Sequence, residues 1–377
     1  MRRIVVLGAG YAGMIAAAGL AGRTRRRRDV AITLVTASDR FAERLRLHQA
    51  ASGQRLAELR IPELVRGSGI AFERGWVTGI DLGGRVVRID DEREIGFDTL
   101  IYALGSVTDP DAVPGAREHA YGIGEATLIA SRLAGMRDGR LVVCGSGLTG
   151  LETAAEIAGQ YPGLGVTLAG REAPGSRMRP GAKAHLDRAL RRLGVAVRSG
   201  VEITQIRPDG IVIAGGESIP ADLVIWTGGV RAPALAAEAG LTADDQGRIV
   251  TDACLRSVSH SFVYAVGDAA AVTQRHGVLH GTCQSGMPTG VHAATQIVRE
   301  LNGRAPRPFR FGYVHAPVSL GRDDAVVQFT RADDSPARGY LTGRAAVWYK
   351  ETVTASPWQT FRRTLRFPRH ATLGWRR

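Results

Sequence analysis

Two glycine triplets and one aspartate carry the chemistry that is easiest to read from this sequence. Arg3 to Leu7 is a short β-branched run, and it breaks into Gly8-Ala9-Gly10-Tyr11-Ala12-Gly13 ahead of a helix of small residues, Met14 to Ala21. A strand, a tight turn and a helix in that order suit a dinucleotide: Gly8 makes the turn, Gly10 leaves room for a pyrophosphate to approach the backbone, and Gly13 lets the helix pack close to the strand. The helix start offers free N–H donors and the positive end of a dipole to the phosphates. At Arg140 the pattern returns, with Leu141 to Cys144 as a strand, Gly145-Ser146-Gly147-Leu148-Thr149-Gly150 as a second turn, and a helix from Glu152. Later, the apolar strand from Phe262 is stopped by Gly267-Asp268. An aspartate at a strand end accepts hydrogen bonds from sugar hydroxyls, and it can equally cap a helix.

The elements that must position these residues also repeat. Val30 to Val35 is the second strand of a βαβ unit, and it ends at Thr36 where an acid commonly holds an adenosine ribose; a hydroxyl can bond the ribose but brings no charge. Alternating runs between Ala71 and Ile101 read as a β-meander, closed by the apolar strand Thr99 to Gly105. In the second copy the equivalents are Val166 to Ala169, a meander from Val195 to Ile219, and Asp222 to Gly228. Repetition of one whole plan predicts an α/β protein with two Rossmann-like domains, one dinucleotide in each. Residues 107–118, with Asp109-Pro110 and Pro114-Gly115, read as a linker. The segment Phe41 to Ala51 reads as a surface helix, although it carries His48 and Gln49.

Composition bounds the reading. A chain of 377 residues, 44% hydrophobic and 23% charged, has the makings of two or three ordinary globular domains. The formal charge of +13 is almost wholly arginine, since Lys183 and Lys350 are the only lysines. Those arginines are scattered and no reader motif accompanies them, so nucleic acid is not an expected partner. Cys144, Cys254 and Cys283 form no Cys-x-x-Cys pair, which disfavours both a disulfide framework and a redox-active disulfide. No cluster points to a metal, no signal-peptide pattern is present, and no apolar stretch is long enough to span a bilayer, so the expected location is cytoplasmic.

Taken together, the pieces resemble the two-dinucleotide-binding-domain flavoproteins, most closely the type II NADH dehydrogenase-like branch of the pyridine nucleotide-disulphide oxidoreductase family. The resemblance rests on Gly8-x-Gly10-x-x-Gly13, the strand ends Ala103-Leu104-Gly105 and Trp226-Thr227-Gly228, Gly145-x-Gly147-x-x-Gly150-x-Glu152, and Tyr264-Ala265-Val266-Gly267-Asp268, in that family's order. It implies an FAD domain from residues 1–112 and 246–305, an inserted NAD(P)H domain from 113–245, and a small C-terminal α+β segment from 306–377. By the same resemblance, Asp268 bonds the FAD ribitol, Gly8, Gly10 and Gly13 hold its pyrophosphate, and Gly145, Gly147 and Gly150 hold that of NADPH or NADH. Glu152 is expected near the nicotinamide, with His48, Gln49 and Gln284 bordering the flavin. The implied activity is an FAD-dependent NAD(P)H:acceptor oxidoreductase delivering electrons to a quinone or another small organic electrophile. Alternatives are a slow flavin-bound NAD(P)H sensor and a reductase for an electron-transfer protein.

Two departures from the family pattern bear on specificity. Where the type II enzymes carry paired glutamines, Gln284 is kept and Pro288 stands at the second position. Where an acid ends the second strand of the NAD(P) domain, Gly170 is followed by Arg171, which suits a 2′-phosphate and favours NADPH. In the tail, Trp358, Phe361 and Leu365 would share one face of a short helix ended by Pro368, and Arg362, Arg363, Arg366, Arg369, Arg376 and Arg377 surround them and Trp375. That mixture suits weak peripheral contact of residues 358–377 with an anionic membrane face, or packing on the body or on a second copy in a homodimer.

Overall fold

The computed structural model describes residues 1–109 and 111–368. The first glycine triplet lies between β1 (Arg2–Leu7) and α1 (Tyr11–Thr24). The chain continues through β2 (Val30–Thr36), the short helix α2 (Leu47–Ala51) and β3 (Ile70–Arg74). After an antiparallel meander at Val77–Asp81, Val86–Ile89 and Arg93–Gly96 it reaches β4 (Thr99–Tyr102). The second copy runs β5 (Gly139–Cys144), α3 (Leu148–Gln160), β6 (Leu164–Gly170), β7 (Ala196–Ser199), a meander at Ile203–Arg207, Gly210–Ile213 and Ser218–Pro220, and β8 (Leu223–Trp226). The chain then returns to the first lobe as β9 (Val263–Ala265) and α4 (Cys283–Leu301). It ends in an antiparallel sheet of β10 (His315–Ser319), β11 (Ala325–Thr330) and β12 (Pro336–Thr342), and a long helix, α5 (Gly343–Arg366).

The two lobes share one strand order. The first is a five-stranded parallel sheet, β3-β2-β1-β4-β9. The second is β7-β6-β5-β8, with the two residues Tyr121–Gly122 as the fifth strand. Parallel strands covered by helices on both faces must be apolar throughout, and Ile4 to Leu7 and Leu141 to Cys144 are accordingly buried. Helix α1 is buried on every side except at Arg23, because sheet, α4 and α5 all press on it. Its contact with α4 is backbone-close: a Cβ at Gly290 would collide with the Ala12 carbonyl.

Several sequence expectations need correction. The meanders begin later than expected, since residues 70–74 and 196–199 are parallel edge strands of the main sheets, not meander strands. All four residues of β7 are exposed, so this edge strand lacks the apolar run that marks a central one. The expected linker 107–118 is partly ordered: Val107–Thr108 pairs antiparallel with Val230–Arg231, so the two connections between the lobes run side by side. In the tail, Phe361 is fully buried, Trp358 and Leu365 pack on the first lobe's core, and Phe41 stacks edge-on against Phe361 at 5.4 Å. Of the two readings of this apolar face, a membrane or the chain's own body, the described residues Trp358, Phe361 and Leu365 follow the second. Residues 369–377, including Trp375, lie outside the described residues. Among the described residues no helix is long and apolar enough to cross a membrane.

Candidate functional site

Each glycine turn distinguishes its three glycines by what surrounds them. Gly8 (φ +93°) and Gly145 (φ +111°) adopt a backbone that side chains disfavour. A Cβ at Gly13 would run into the Gly8 carbonyl, and one at Gly150 into the Gly145 carbonyl. Gly10 and Gly147, by contrast, have no atom within 4 Å of where a Cβ would stand. Outer glycines closed by protein and a middle one open to space, at the start of a long helix, make a cradle that a pyrophosphate fits. Both lobes have it, so the residues present fit two dinucleotides.

Around the first cradle, Thr36 ends β2 half-buried, and Gly105 and Gly267 take left-handed conformations (φ +71° and +68°) that turn the chain at the ends of neighbouring strands. Asp268 accepts a 2.9 Å hydrogen bond from Ser106 Oγ, and its carboxylate lines a cavity with Gly267, His280, Gly281, Ser285 and Thr289. A Cβ on Gly281 would come within 2.7 Å of that carboxylate, so glycine there keeps the acid accessible. Thr282 caps α4 beside it, its Oγ1 accepting from Ser285 N at 3.1 Å. In the second lobe Gly228 follows β8, and Thr227 Oγ1 donates to the Cys144 carbonyl at 2.8 Å, tying that strand end to the turn. A Cβ at Gly170 would meet Ser146 Oγ at 2.7 Å, so an acidic side chain has no space there. Arg171 follows at the rim, exposed and paired with Glu202, while Glu172 takes a hydrogen bond from Ser176.

Between the lobes lies a buried charge cluster. The Glu152 carboxylate, on α3, accepts from Lys350 Nζ on α5 at 2.6 Å and from the Ser319 backbone N–H at the end of β10 at 3.0 Å. His48 on α2 places Nδ1 3.6 Å from the other carboxylate oxygen. Three parts of the chain thus converge on one carboxylate, and Lys350 and His48 are only 5% and 3% exposed. Burial pushes the Glu152 carboxyl upward, but the Lys350 ammonium, His48 and the two hydrogen bonds outweigh it and hold the group below the usual carboxylate range. Burial lowers His48 despite the neighbouring carboxylate, so its imidazole is neutral near pH 7. Its Nε2 is buried without a hydrogen-bond partner. One turn along α3, burial raises Glu156, which is bonded on one oxygen by Gln54.

The sequence-derived candidates are therefore sorted by geometry. His48 and Glu152 come together; the surface-helix reading of 41–51 fails for His48 and Gln49, both buried. Gln284 joins the neighbourhood differently from expectation. Its amide donates to the His315 carbonyl at 2.8 Å and accepts from Val314 N at 2.6 Å, so it anchors the start of β10 with one N–H and one lone pair and keeps a second of each. Lys350 was missed, and one signal was available: it is one of two lysines in a chain that otherwise uses arginine. Tyr349, whose hydroxyl lies 2.6 Å from His315 Nδ1, gave none.

Comparison with known proteins agrees with this architecture. Residues 2–296 match the pyridine nucleotide-disulphide oxidoreductase family. A NADH dehydrogenase-like protein of Mycobacterium tuberculosis is 31% identical over 353 residues, covering 86% of this chain and 87% of that one. A type II NADH:quinone oxidoreductase of Staphylococcus epidermidis is 28% identical, with 86% and 89% covered. Among solved structures, NDH2 from Plasmodium falciparum in complex with NADH superposes with a TM-score of 0.79 at 13% identity, over 98% of this chain and 99% of that one. The chain belongs to the pyridine nucleotide-disulphide oxidoreductase family, as an FAD-dependent NAD(P)H:acceptor oxidoreductase.

Proposed function

We propose that the acceptor is a quinone seated beside Lys350, and that NADPH is the preferred reductant. The observation that carries the first part is the buried cluster of Lys350, Glu152 and His48 where the two cofactor lobes and the C-terminal segment meet. Bound FAD supplies the chemistry of accepting a hydride and releasing two electrons. The overall reaction, NAD(P)H plus quinone plus one proton giving NAD(P)⁺ plus hydroquinone, leaves the protein to bring in that proton and to stabilise charge on the quinone oxygens. A buried ammonium is suited to both tasks, as hydrogen-bond donor and as acid. Glu152 holds Lys350 in place and Ser319 N–H fixes the carboxylate; the proton that Lys350 gives to the quinone is replaced by the one the overall reaction takes from solvent. Gln284 is a positioning residue here, since it pins Val314 and His315 beneath the same region.

For the cofactors, Gly8, Gly10 and Gly13 with Asp268, Thr36, Gly105 and Gly267 would hold FAD, and Gly145, Gly147 and Gly150 with Gly228 would hold the nicotinamide nucleotide. Arg171 supports NADPH because the position before it cannot take an acid without striking Ser146. We also propose weak contact with an anionic membrane, now through the outer face of α5, where Trp348 is 72% exposed and Arg362, Arg363 and Arg366 lie exposed near Phe367.

Anaerobic titration tests the reading. Adding NADPH, then NADH, while following the flavin band at about 450 nm should bleach it faster with NADPH, and a quinone should restore it within seconds. A flavin that bleaches but is not reoxidised by any quinone would remove the acceptor assignment. For the membrane, pelleting with phosphatidylglycerol vesicles at low salt and release at high salt is expected; no pelleting at low salt would end that part.

A further inference from the structure

A second polar cavity lies at the end of the first sheet opposite the glycine turn, and we propose that it binds a small phosphate-bearing anion. Its volume is about 270 Å³, and it is lined by Arg2, Arg85, Thr99, Arg256, Ser261, Phe262, Tyr264 and Glu300, of which Arg2, Arg85, Arg256 and Glu300 decide its character. Arg2 opens β1 and Gly8 follows its end, so the length of the strand, roughly 20 Å at about 3.3 Å per residue, separates the cavity from the cofactor cradle. No part of the proposed electron path reaches it.

Three guanidinium groups face this space, and they differ in how far the protein has neutralised them. Arg256 is bonded to Asp252 at 2.9 Å and lies 3.8 Å from Glu300, whose carboxylate also accepts from Tyr264 OH at 2.7 Å. Among the described residues neither Arg2 nor Arg85 forms an ion pair within 4 Å; Arg2 lies near enough to Asp98 for its charge to help hold that carboxyl low, but Asp98 is itself paired with the adjacent Arg3. Arg85 is held where it is. Its backbone takes φ +54°, its carbonyl accepts from Phe97 N at 2.8 Å, and its guanidinium carbon sits 4.3 Å above the Phe262 ring. A left-handed backbone at a non-glycine residue costs free energy, and here it points a charge over an aromatic face at the cavity mouth.

Two guanidiniums outside close ion pairs, one of them, Arg85, held in place, with a hydroxyl at Ser261, are the groups that recognise phosphate oxygens, two N–H bonds at a time. The single carboxylate, Glu300, is already engaged by Tyr264 and Arg256, so it sets an edge to the site and does not fill it. A cavity slightly below the roughly 300 Å³ at which small-molecule clefts begin limits the guest to the size of inorganic phosphate, pyrophosphate or a compact phosphomonoester. The same phosphate chemistry is offered by a lipid headgroup, which the experiment separates.

The test is calorimetric titration of the FAD-loaded full chain with pyrophosphate and with inorganic phosphate. Saturable binding is expected, weakened at least ten-fold in Arg2→Ala and in Arg85→Ala. Arg88→Ala, which removes an equal charge from the same meander outside the cavity, should leave it unchanged, and Glu300→Gln should tighten it several-fold. NADPH-dependent quinone reduction should be the same in Arg2→Ala and Arg85→Ala as in the parent chain, which keeps this site distinguishable from the cofactor sites. Arg85 lies in an exposed turn, so that variant remains informative where Arg2→Ala folds poorly. Absence of saturable binding, or equal binding in the Arg85 and Arg88 variants, would overturn the proposal. Pelleting with phosphatidylglycerol vesicles that is lost in Arg85→Ala, while α5 is intact, would assign the phosphate to a lipid headgroup; pelleting indifferent to Arg85, with pyrophosphate bound, would assign it to a soluble molecule.

Discussion

Replacing Lys350 by methionine keeps the length of the side chain and removes its charge, leaving the Glu152 carboxylate buried with only a neutral imidazole and one backbone N–H for company. Removing one member of a buried ion pair costs about 3–5 kcal/mol. With an unfolding entropy of about 2 cal/mol/K per residue, that cost lowers the Tm of a chain this size by about 4–6 °C if it unfolds as one unit. The loss should depend on pH in a particular direction. In the parent protein Glu152 titrates below its unfolded value of about 4.3, so its contribution is complete above that pH and is lost as pH falls through the folded value. In the variant, burial acts without the ammonium and raises the carboxyl. Stability from the neutral acid is then present below about 4.3 and is lost as pH rises through the raised value. The Tm gap between the two proteins should therefore be widest at pH 7–8 and should narrow toward pH 5. In activity, loss of a general acid predicts a fall of about 10²-fold or more in quinone turnover, larger in flavin reoxidation than in flavin reduction by NADPH. Scanning calorimetry across pH, with stopped-flow measurement of the two half-reactions, reads both. A gap that is constant from pH 5 to pH 8, or equal losses in both half-reactions, would refute the role given to the pair.

Three further outcomes follow from the same geometry. Asp268→Ala should release FAD, seen as a colourless protein after gel filtration, because the cavity beside Ser106 loses the one carboxylate among its described lining residues; retention of a full complement of flavin would contradict the assignment. Arg171→Ala should raise KM for NADPH about 10-fold, the worth of one charge-assisted hydrogen bond, and leave KM for NADH within about two-fold; an unchanged coenzyme preference would remove Arg171 from the site. Gly290→Ala should destabilise the chain by about 1–3 kcal/mol by forcing α4 away from the Ala12 carbonyl, measured as a fall in Tm with flavin bound; a Tm equal to the parent's would show that the helices have room to part.

What was legible in the sequence and what was not divides along physical lines. Gly13 and Gly150 are legible because no other residue fits against the carbonyls of Gly8 and Gly145, so steric exclusion writes itself into residue type. The doubled plan of turn, meander and apolar strand is legible because β4 and β8, buried on all sides, must be apolar runs. The edge strands β3 and β7 are not, since an edge needs hydrogen bonds on one side only and β7 buries no side chain. The charge cluster is the hardest case. Ser319 and Glu152 are 167 residues apart, and their contact uses a backbone N–H, which carries no residue signature. Lys350 left a trace only because lysine is rare in this chain. The tail left two readings open, a membrane or the chain's own body, because Trp358, Phe361 and Leu365 show the same periodicity in either case; the first two meet Phe41.

Helix α5 touches both lobes with different chemistry: Lys350 reaches the second through Glu152, and Phe361 is embedded in the first. Eleven residues of helix separate them, a rod of roughly 16 Å at about 1.5 Å per residue. The helix therefore acts as a strut. The paired segments Val107–Thr108 and Val230–Arg231 would by themselves let one lobe swing on the other, as is usual for domains joined by short connections. With the strut in place, swinging requires either pulling an ammonium from its buried carboxylate or drawing an aromatic ring out of a core. The spacing between the two glycine cradles is thereby set by the length of a helix, so that with FAD in one and the nicotinamide nucleotide in the other, as proposed, electron transfer between them would not have to wait for a closure.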